Sequence, residues 1–353
     1  MKKIIIKIFC FVAIFSILFI KIQDVLHYRW STKAEELYSR NIDYANQPKD
    51  SIDVVCFGTS EIYADYDPII TYYEAGITGY SFAVSNRSAV TTYYQLMYAL
   101  KYQTPSIVMC DFSSLYDDQL PNKIESLYRK VVYHMPDKKL KNQLINTICE
   151  LDPSQSYLSW KYPLLRYHSM WNELTEANFS EDYVYNDSYP SYAKGALLST
   201  SNYNGDIFDI TPELWNYSEP ETIFSDISVK YYDMFIEECQ NRGIEVVAVM
   251  PPKLNATSQY ASRWEAMKEY FDSRGVSYLN YNTYDQVVRL NVILEEDYYN
   301  AAHMNIYGSI KFSKILAQDL KNLYNLVDHR GDERYVVEWD EPLILFQESY
   351  ILD

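Results

Sequence analysis

An alternation of short apolar runs with helical stretches constrains the fold of this chain most. Residues 51–57 (SIDVVCF) have the length and β-rich composition of a buried parallel strand. Pro68–Ala75 follows as a helix, Tyr80–Val84 as a second strand, and Ala89–Tyr102 as a helix with apolar positions at helical spacing. Pro105 opens a third strand over residues 106–112 (SIVMCDF). The rhythm resumes with a helix over Val229–Arg242, stopped by Gly243, and a strand over 244–250 (IEVVAVM), closed by Pro251 and Pro252. A helix over Tyr260–Arg274, a stop at Gly275, a fifth strand over 276–280 (VSYLN) and a last helix over Asn305–Leu326 complete it. This pattern predicts an α/β fold of flavodoxin-like, three-layer α/β/α type, with a five-stranded parallel sheet and helices on both faces.

Two stretches fall outside the rhythm. Residues 113–228, rich in Tyr, Trp and Pro, are too long for a simple crossover and read as a mixed insertion lying over one end of the sheet. Residues 327–353 form a C-terminal extension, whose apolar runs 335–339 and 343–346 predict extended segments packing back on the body. The central domain is then 51–326. With 48% hydrophobic residues and only 9 Gly in 353 positions, the chain has material for a large core and little for linkers.

The amino terminus sets the compartment. Lys2 and Lys3 precede an apolar run from Ile4 to Ile20, broken only by Lys7. As a helix this run is roughly 25 Å long, near the lower limit for crossing a bilayer. No A-x-A-like site follows it, so residues 1–28 read as an uncleaved signal anchor and residues 29–50 as a polar, helix-permissive stalk. The leading lysines favour a single pass in the cell membrane with the body extracytoplasmic. Overall, 31 Lys and Arg face 48 Asp and Glu, a formal charge of −17. Because residues 1–28 carry four Lys and one Asp, the remainder holds about −20 and repels nucleic acid and other polyanions. The five cysteines (Cys10, Cys56, Cys110, Cys149, Cys239) have no C-x-x-C spacing and read as core thiols, with a Cys149–Cys239 bridge the alternative in an exported body.

In a doubly wound sheet, ligands bind beyond the carboxyl ends of the strands. Ser60 lies three residues past the first strand, behind a Gly58 that permits a tight turn. It is placed either as a nucleophile or as the cap of the next helix. His303 lies in a loop before the final helix, at the same sheet edge, and an imidazole is what a serine hydroxyl needs to lose its proton. In the insertion, Arg166, His168 and Trp171 would line a sugar or acyl-donor groove, or form a packed corner. No group of His, Cys and acids has metal-ligand spacing, and Ser-His acyl transfer requires no cofactor.

The segments 55–61 (VCFGTSE) and 303–308 (HMNIYG) resemble the first and last blocks of the SGNH (GDSL-like) hydrolase superfamily, over most of residues 50–326. With its anchor and long insertion, the chain is similar to the cell-surface branch that includes the teichoic-acid D-alanyl transfer protein and polysaccharide O-acetyltransferases. The resemblance implies Ser60 as nucleophile, His303 as base, oriented by Asn300, by Asp297 or by neither, and an oxyanion hole including the Ser60 amide, to which Ser85 or Asn86 after the second strand would add a donor, a plain helix N-cap before Ala89 being the equal alternative for that stretch. It implies an extracytoplasmic esterase or O-acyltransferase acting on cell-envelope polysaccharide, with an acylated glycan or other acyl donor and a membrane-bound O-acyltransferase as partners. One departure stands out: Asn300 occupies the place of the family aspartate. It leaves an impaired scaffold or glycan-binding protein of the same fold as the alternative.

Overall fold

The computed structural model describes residues 2–26, 36–85, 87–117, 120–179, 190–206, 208–254, 258–350 and 352. The chain forms two compact units, Met1–Glu36 with Leu120–Val184, and Leu37–Gln119 with Tyr185–Asp353.

The larger unit is built on five strands, β1 (Val54–Phe57), β2 (Gly79–Ser81), β3 (Ile107–Cys110), β4 (Glu245–Met250) and β5 (Ser277–Asn280). They form one all-parallel sheet in the order β2-β1-β3-β4-β5. β1 and β3 are buried along their whole length, as continuous β-branched and apolar runs require. Helices Pro68–Ala75, Ala89–Ala99, Asp226–Asn241, Ser258–Asp272 and Ile306–Leu323 alternate with the strands as the sequence predicts, with ends shifted by a few residues. Asp67, Ser88 and Ser225 cap three of them by accepting from the backbone N–H of Ile69, Thr91 and Ser228. Aromatic rings fill the core: Phe112 packs edge-on to Phe235 and Phe271, and Phe57 stacks on Phe82.

Three expectations need correction. Residues 36–46 of the predicted stalk form a helix, Glu36–Asn46, that belongs to the core. Leu37, Arg40, Asn41 and Tyr44 are buried at spacings of three and four, and Tyr44 packs against Tyr80 and Phe82. Likewise, the carboxyl-terminal extension is helical rather than extended, with a π-helical turn at Val336–Asp340 leading into Glu341–Ser349. Trp339 is completely buried there against Tyr72, so tertiary packing overrides the local β-preference of Tyr335–Val337. Finally, the insertion is divided: only 120–184 leaves for the other unit. Residues 194–202 run along the sheet body, where Lys194 accepts from Ser81 N–H, Leu197 N–H donates to Tyr63, and Ser199 accepts from Ile306 N–H.

The smaller unit joins the helix Lys2–Leu26 to helices Glu125–His134, Lys138–Leu151, Tyr157–Lys161 and Pro163–Tyr167. Its buried Arg129 lies 4.1 Å from the Trp160 ring centre and pairs with Glu125. The amino-terminal helix is long and apolar enough to cross a membrane, and its hydrophobic side chains from Ile4 to Ile20 are largely exposed. All five cysteines are free thiols.

Candidate active site

β1 ends at Phe57, and two residues, Gly58 and Thr59, turn the chain into the helix Ser60–Asp65. Gly58 has φ +141, and a β-carbon there would lie 2.7 Å from an Asp111 carboxylate oxygen and 2.8 Å from Ile62. Only glycine fits this turn. Asp111, fully buried just past β3, holds it from the other side. Its Oδ2 accepts from the Thr59 N–H and the Thr59 hydroxyl, both at 2.7 Å, while Oδ1 accepts from Ser113 N–H and Oγ. The Ser60 position is therefore fixed by two strands. As the first residue of its helix, Ser60 contributes a backbone N–H that has no acceptor within that helix.

His303 stands on a small antiparallel hairpin, β6 (Tyr298–Asn300) and β7 (His303–Met304). Its Nε2 lies 2.8 Å from Ser60 Oγ and its Nδ1 2.9 Å from Asn300 Oδ1. The same Asn300 oxygen accepts from Ala302 N–H at 2.9 Å, which identifies it as the carbonyl end of the amide. An amide oxygen only accepts, so Nδ1 carries the ring proton and Nε2 presents its lone pair to the serine hydroxyl. The Tyr299 ring stacks on the imidazole, 5.4 Å between centres and 9° from parallel. Burial, and secondly the positive charge of Lys253, lower the His303 pKa to about 4, so the ring is neutral at physiological pH.

Three further contacts tie the hairpin and the turn after it to their neighbours. Buried Asp65, at the end of the Ser60 helix, accepts from Met304 N–H at 2.8 Å; burial raises its pKa well above the ordinary carboxylate range despite that bond. The Tyr298 hydroxyl donates to the Pro252 carbonyl at 3.1 Å. Asn305 caps the final helix by accepting from Tyr307 and Gly308 N–H.

Beside the serine, Glu61 forms an ion pair with Lys253, which follows the Pro251-Pro252 stop after β4. Burial pushes the Glu61 carboxyl up; burial opposes the charge on Lys253 too, but the attraction of Glu61 outweighs it and raises the ammonium's pKa. Asn282, past β5, fixes this segment by accepting from Lys253 N–H and donating to the Pro251 carbonyl. The Lys253 ammonium also lies 4.5 Å from the Tyr260 ring centre. The carboxyl ends of β1, β3 and β4 thus contribute Ser60, Asp111 and Lys253 to one site.

The structure brings Ser60, His303 and Asn300 together. It does not bring Asp297 to the imidazole: that buried carboxylate accepts from Ile293 N–H and the Lys311 ammonium, both at 2.6 Å, and so holds the preceding loop. Ser85 follows Val84, whose N–H donates to the Gly58 carbonyl, which sets it beside the serine turn; Asn86 lies outside the described residues. The N-cap expected before Ala89 is supplied by Ser88, which accepts from Thr91 N–H. Arg166, His168 and Trp171 belong to the smaller unit, and Arg166 is paired with Glu125 at 2.8 Å. Asp111, Asp65, Glu61 and Lys253 escape sequence reasoning because their partners are distant in the chain. Among the described residues, no three His, Cys, Asp or Glu side chains group as a metal site.

No family model matches the chain, and no curated protein matches it in sequence.

Proposed function

We propose that this protein is a membrane-anchored serine acyl-handling enzyme of SGNH type, an O-acyltransferase or esterase acting on cell-envelope polysaccharide outside the cell membrane. The observation that carries the reading is the relay Ser60 Oγ, His303 Nε2, His303 Nδ1, Asn300 Oδ1, with spacings of 2.8 and 2.9 Å. The strand order β2-β1-β3-β4-β5 supports the flavodoxin-like three-layer arrangement, and the site lies at carboxyl strand ends, where such folds bind ligands. Lys2 and Lys3 ahead of the span support a cytoplasmic amino terminus and an extracytoplasmic body.

In this reading Ser60 Oγ attacks the ester carbonyl of the donor while Nε2 takes the hydroxyl proton. The Ser60 amide, with the nearby Lys253 charge, offsets the oxyanion that develops. The carbonyl-to-alkoxide bond then breaks, and the imidazolium returns its proton to the departing alcohol. An acceptor hydroxyl, from a glycan or from water, repeats the two steps in reverse and releases the acyl group from Ser60. A membrane-bound O-acyltransferase delivering the donor is the partner this scheme calls for.

The test is intact-mass analysis of the full chain in detergent after exposure to a serine-directed fluorophosphonate. One phosphonyl adduct at Ser60, with fluoride released, is the expected product; Ser60→Ala gives none, and His303→Ala gives far less in the same time. A folded wild type that stays unlabelled while diisopropyl and alkyl probes alike are in excess counts against the enzyme.

Asn300 favours a second reading, a weakened or scaffold site, because an amide gives no negative charge to the imidazolium. Asn300→Asp separates the two. In a working site the new carboxylate lifts the His303 pKa from about 4 and raises ester hydrolysis by about tenfold or more, with Tm little changed. No gain in a folded variant supports the scaffold.

A further inference from the structure

The smaller unit holds the last turns of the amino-terminal helix by specific contacts. The Tyr162 ring meets Phe19 edge-on at 5.7 Å between centres. Leu164 N–H donates to Gln23 Oε1 at 2.9 Å, and Asn178 Nδ2 donates to the Val25 carbonyl at 3.0 Å. Phe19 belongs to the apolar run that ends at Ile20. When that run fills the hydrocarbon layer, Phe19 lies within roughly 3 Å of the layer's edge, at 1.5 Å per residue. Tyr162 must then sit at the same depth, which carries residues 157–179 into the plane of the lipid headgroups.

Their side chains suit that plane. Leu158, Leu165, Trp171 and Phe179 are 53, 52, 50 and 65% exposed, although each is a residue that water disfavours. Lys161 lies over the rings of Tyr157 and Tyr162, the pairing of aromatic belt and snorkelling cation found at membrane interfaces. Arg166 is neutralised by Glu125, so it does not hold the face away from lipid. We infer that residues 157–179 form an interfacial collar around the exit of the transmembrane helix, seated on the lipid bilayer through Leu158, Leu165, Trp171 and Phe179. The collar rests on the membrane anchorage proposed above: its occupant is lipid, because this face adjoins a helix that in that reading lies in lipid over Ile4–Ile20. A single apolar span of marginal length gains a second point of attachment, which limits tilt and rotation of the anchor.

The test uses the full chain in nanodiscs, in matched lipids with and without bromine at a shallow acyl position. Trp171→Phe provides the difference spectrum that isolates Trp171 emission, and the double variants Trp171→Phe/Leu165→Trp and Trp171→Phe/Phe179→Trp move the reporter along the collar. Brominated lipid is expected to remove roughly half or more of the emission at each of the three positions, with aqueous iodide removing little. The opposite result, quenching by iodide and none by brominated lipid, overturns the collar and leaves the face to a protein partner. Because it needs no catalysis, the measurement is independent of the proposed acyl chemistry.

Discussion

Replacing His303 by alanine is expected to lower kcat/KM on an activated ester by about three to four orders of magnitude, without unfolding the protein. The hydroxyl of Ser60 has its hydrogen-bond acceptor at 2.8 Å on that imidazole, and without it the hydroxyl must lose its proton to water. The loss is smaller than in a site with an ionised orienter, since Asn300 adds no charge to what His303 supplies. A pH profile makes the expectation specific. Burial and the Lys253 charge both disfavour imidazolium and hold the His303 pKa at about 4. The base form persists down to that value, and the wild-type rate should fall only as pH drops through about 4. The same shift acts on stability. The unfolded chain binds this proton first, at the ordinary histidine value of 6.5, so this contribution is complete above 6.5 and lost as pH falls from there toward 4. His303→Ala should therefore show both a flattened rate profile and a Tm less sensitive to pH across that window. A wild-type limb near 6.5 would show that the imidazole is not held neutral by burial and Lys253, whereas a variant as fast as wild type removes His303 from the chemistry.

What the sequence made legible was what is encoded locally. Ser60 is announced by a strand, a glycine and a turn within ten residues, and Asn300 and His303 lie three apart on one hairpin. The four carboxylates and cations that hold these residues are different in kind. Asp111 reaches Thr59 across 52 residues, Lys253 reaches Glu61 across 192, and Met304 reaches Asp65 across 239. No periodicity records such pairs, because they exist only once parallel strands bring loop to loop. The burial of Glu36–Asn46 and the helical form of the carboxyl-terminal extension have a related cause. In Glu36–Asn46 the buried stripe contains Arg40 and Asn41, held by bonds to distant groups: Arg40 Nη1 donates to the Ala83 carbonyl, and the Tyr80 and Tyr98 hydroxyls donate to the backbone carbonyls of Arg40 and Asn41. A pattern read as hydrophobic or polar sees only a hydrophilic stalk. These tyrosines also give the composition its meaning, since buried Tyr232, Tyr281 and Tyr298 likewise spend their hydroxyls on joining separate segments.

Gly58→Ala should be the most damaging single change in the serine turn, with an expected cost of about 3 kcal/mol and a Tm lower by on the order of 10 °C. Two independent costs add. An L-residue at φ +141 is strained whatever surrounds it, and the new methyl would lie 2.7 Å from the Asp111 carboxylate and 2.8 Å from Ile62. Neither neighbour has an easy retreat. Asp111 is fully buried and engaged by four donors from Thr59 and Ser113, and Ile62 is fully buried in the Ser60 helix. Relief by displacing Asp111 breaks its two bonds to Thr59, the residue directly before Ser60. The variant should therefore lose activity at temperatures where circular dichroism still reports a folded sheet, and the loss should appear in kcat more than in KM. Ile62→Val, which removes only the δ-methyl and keeps the γ-carbon facing Gly58, should cost about 0.5–1.5 kcal/mol and leave kcat near wild type. A Gly58→Ala protein with unchanged Tm and unchanged kcat would show that the turn is not held as this geometry requires, and that the Ser60 position is set by something other than the Gly58 and Asp111 clamp.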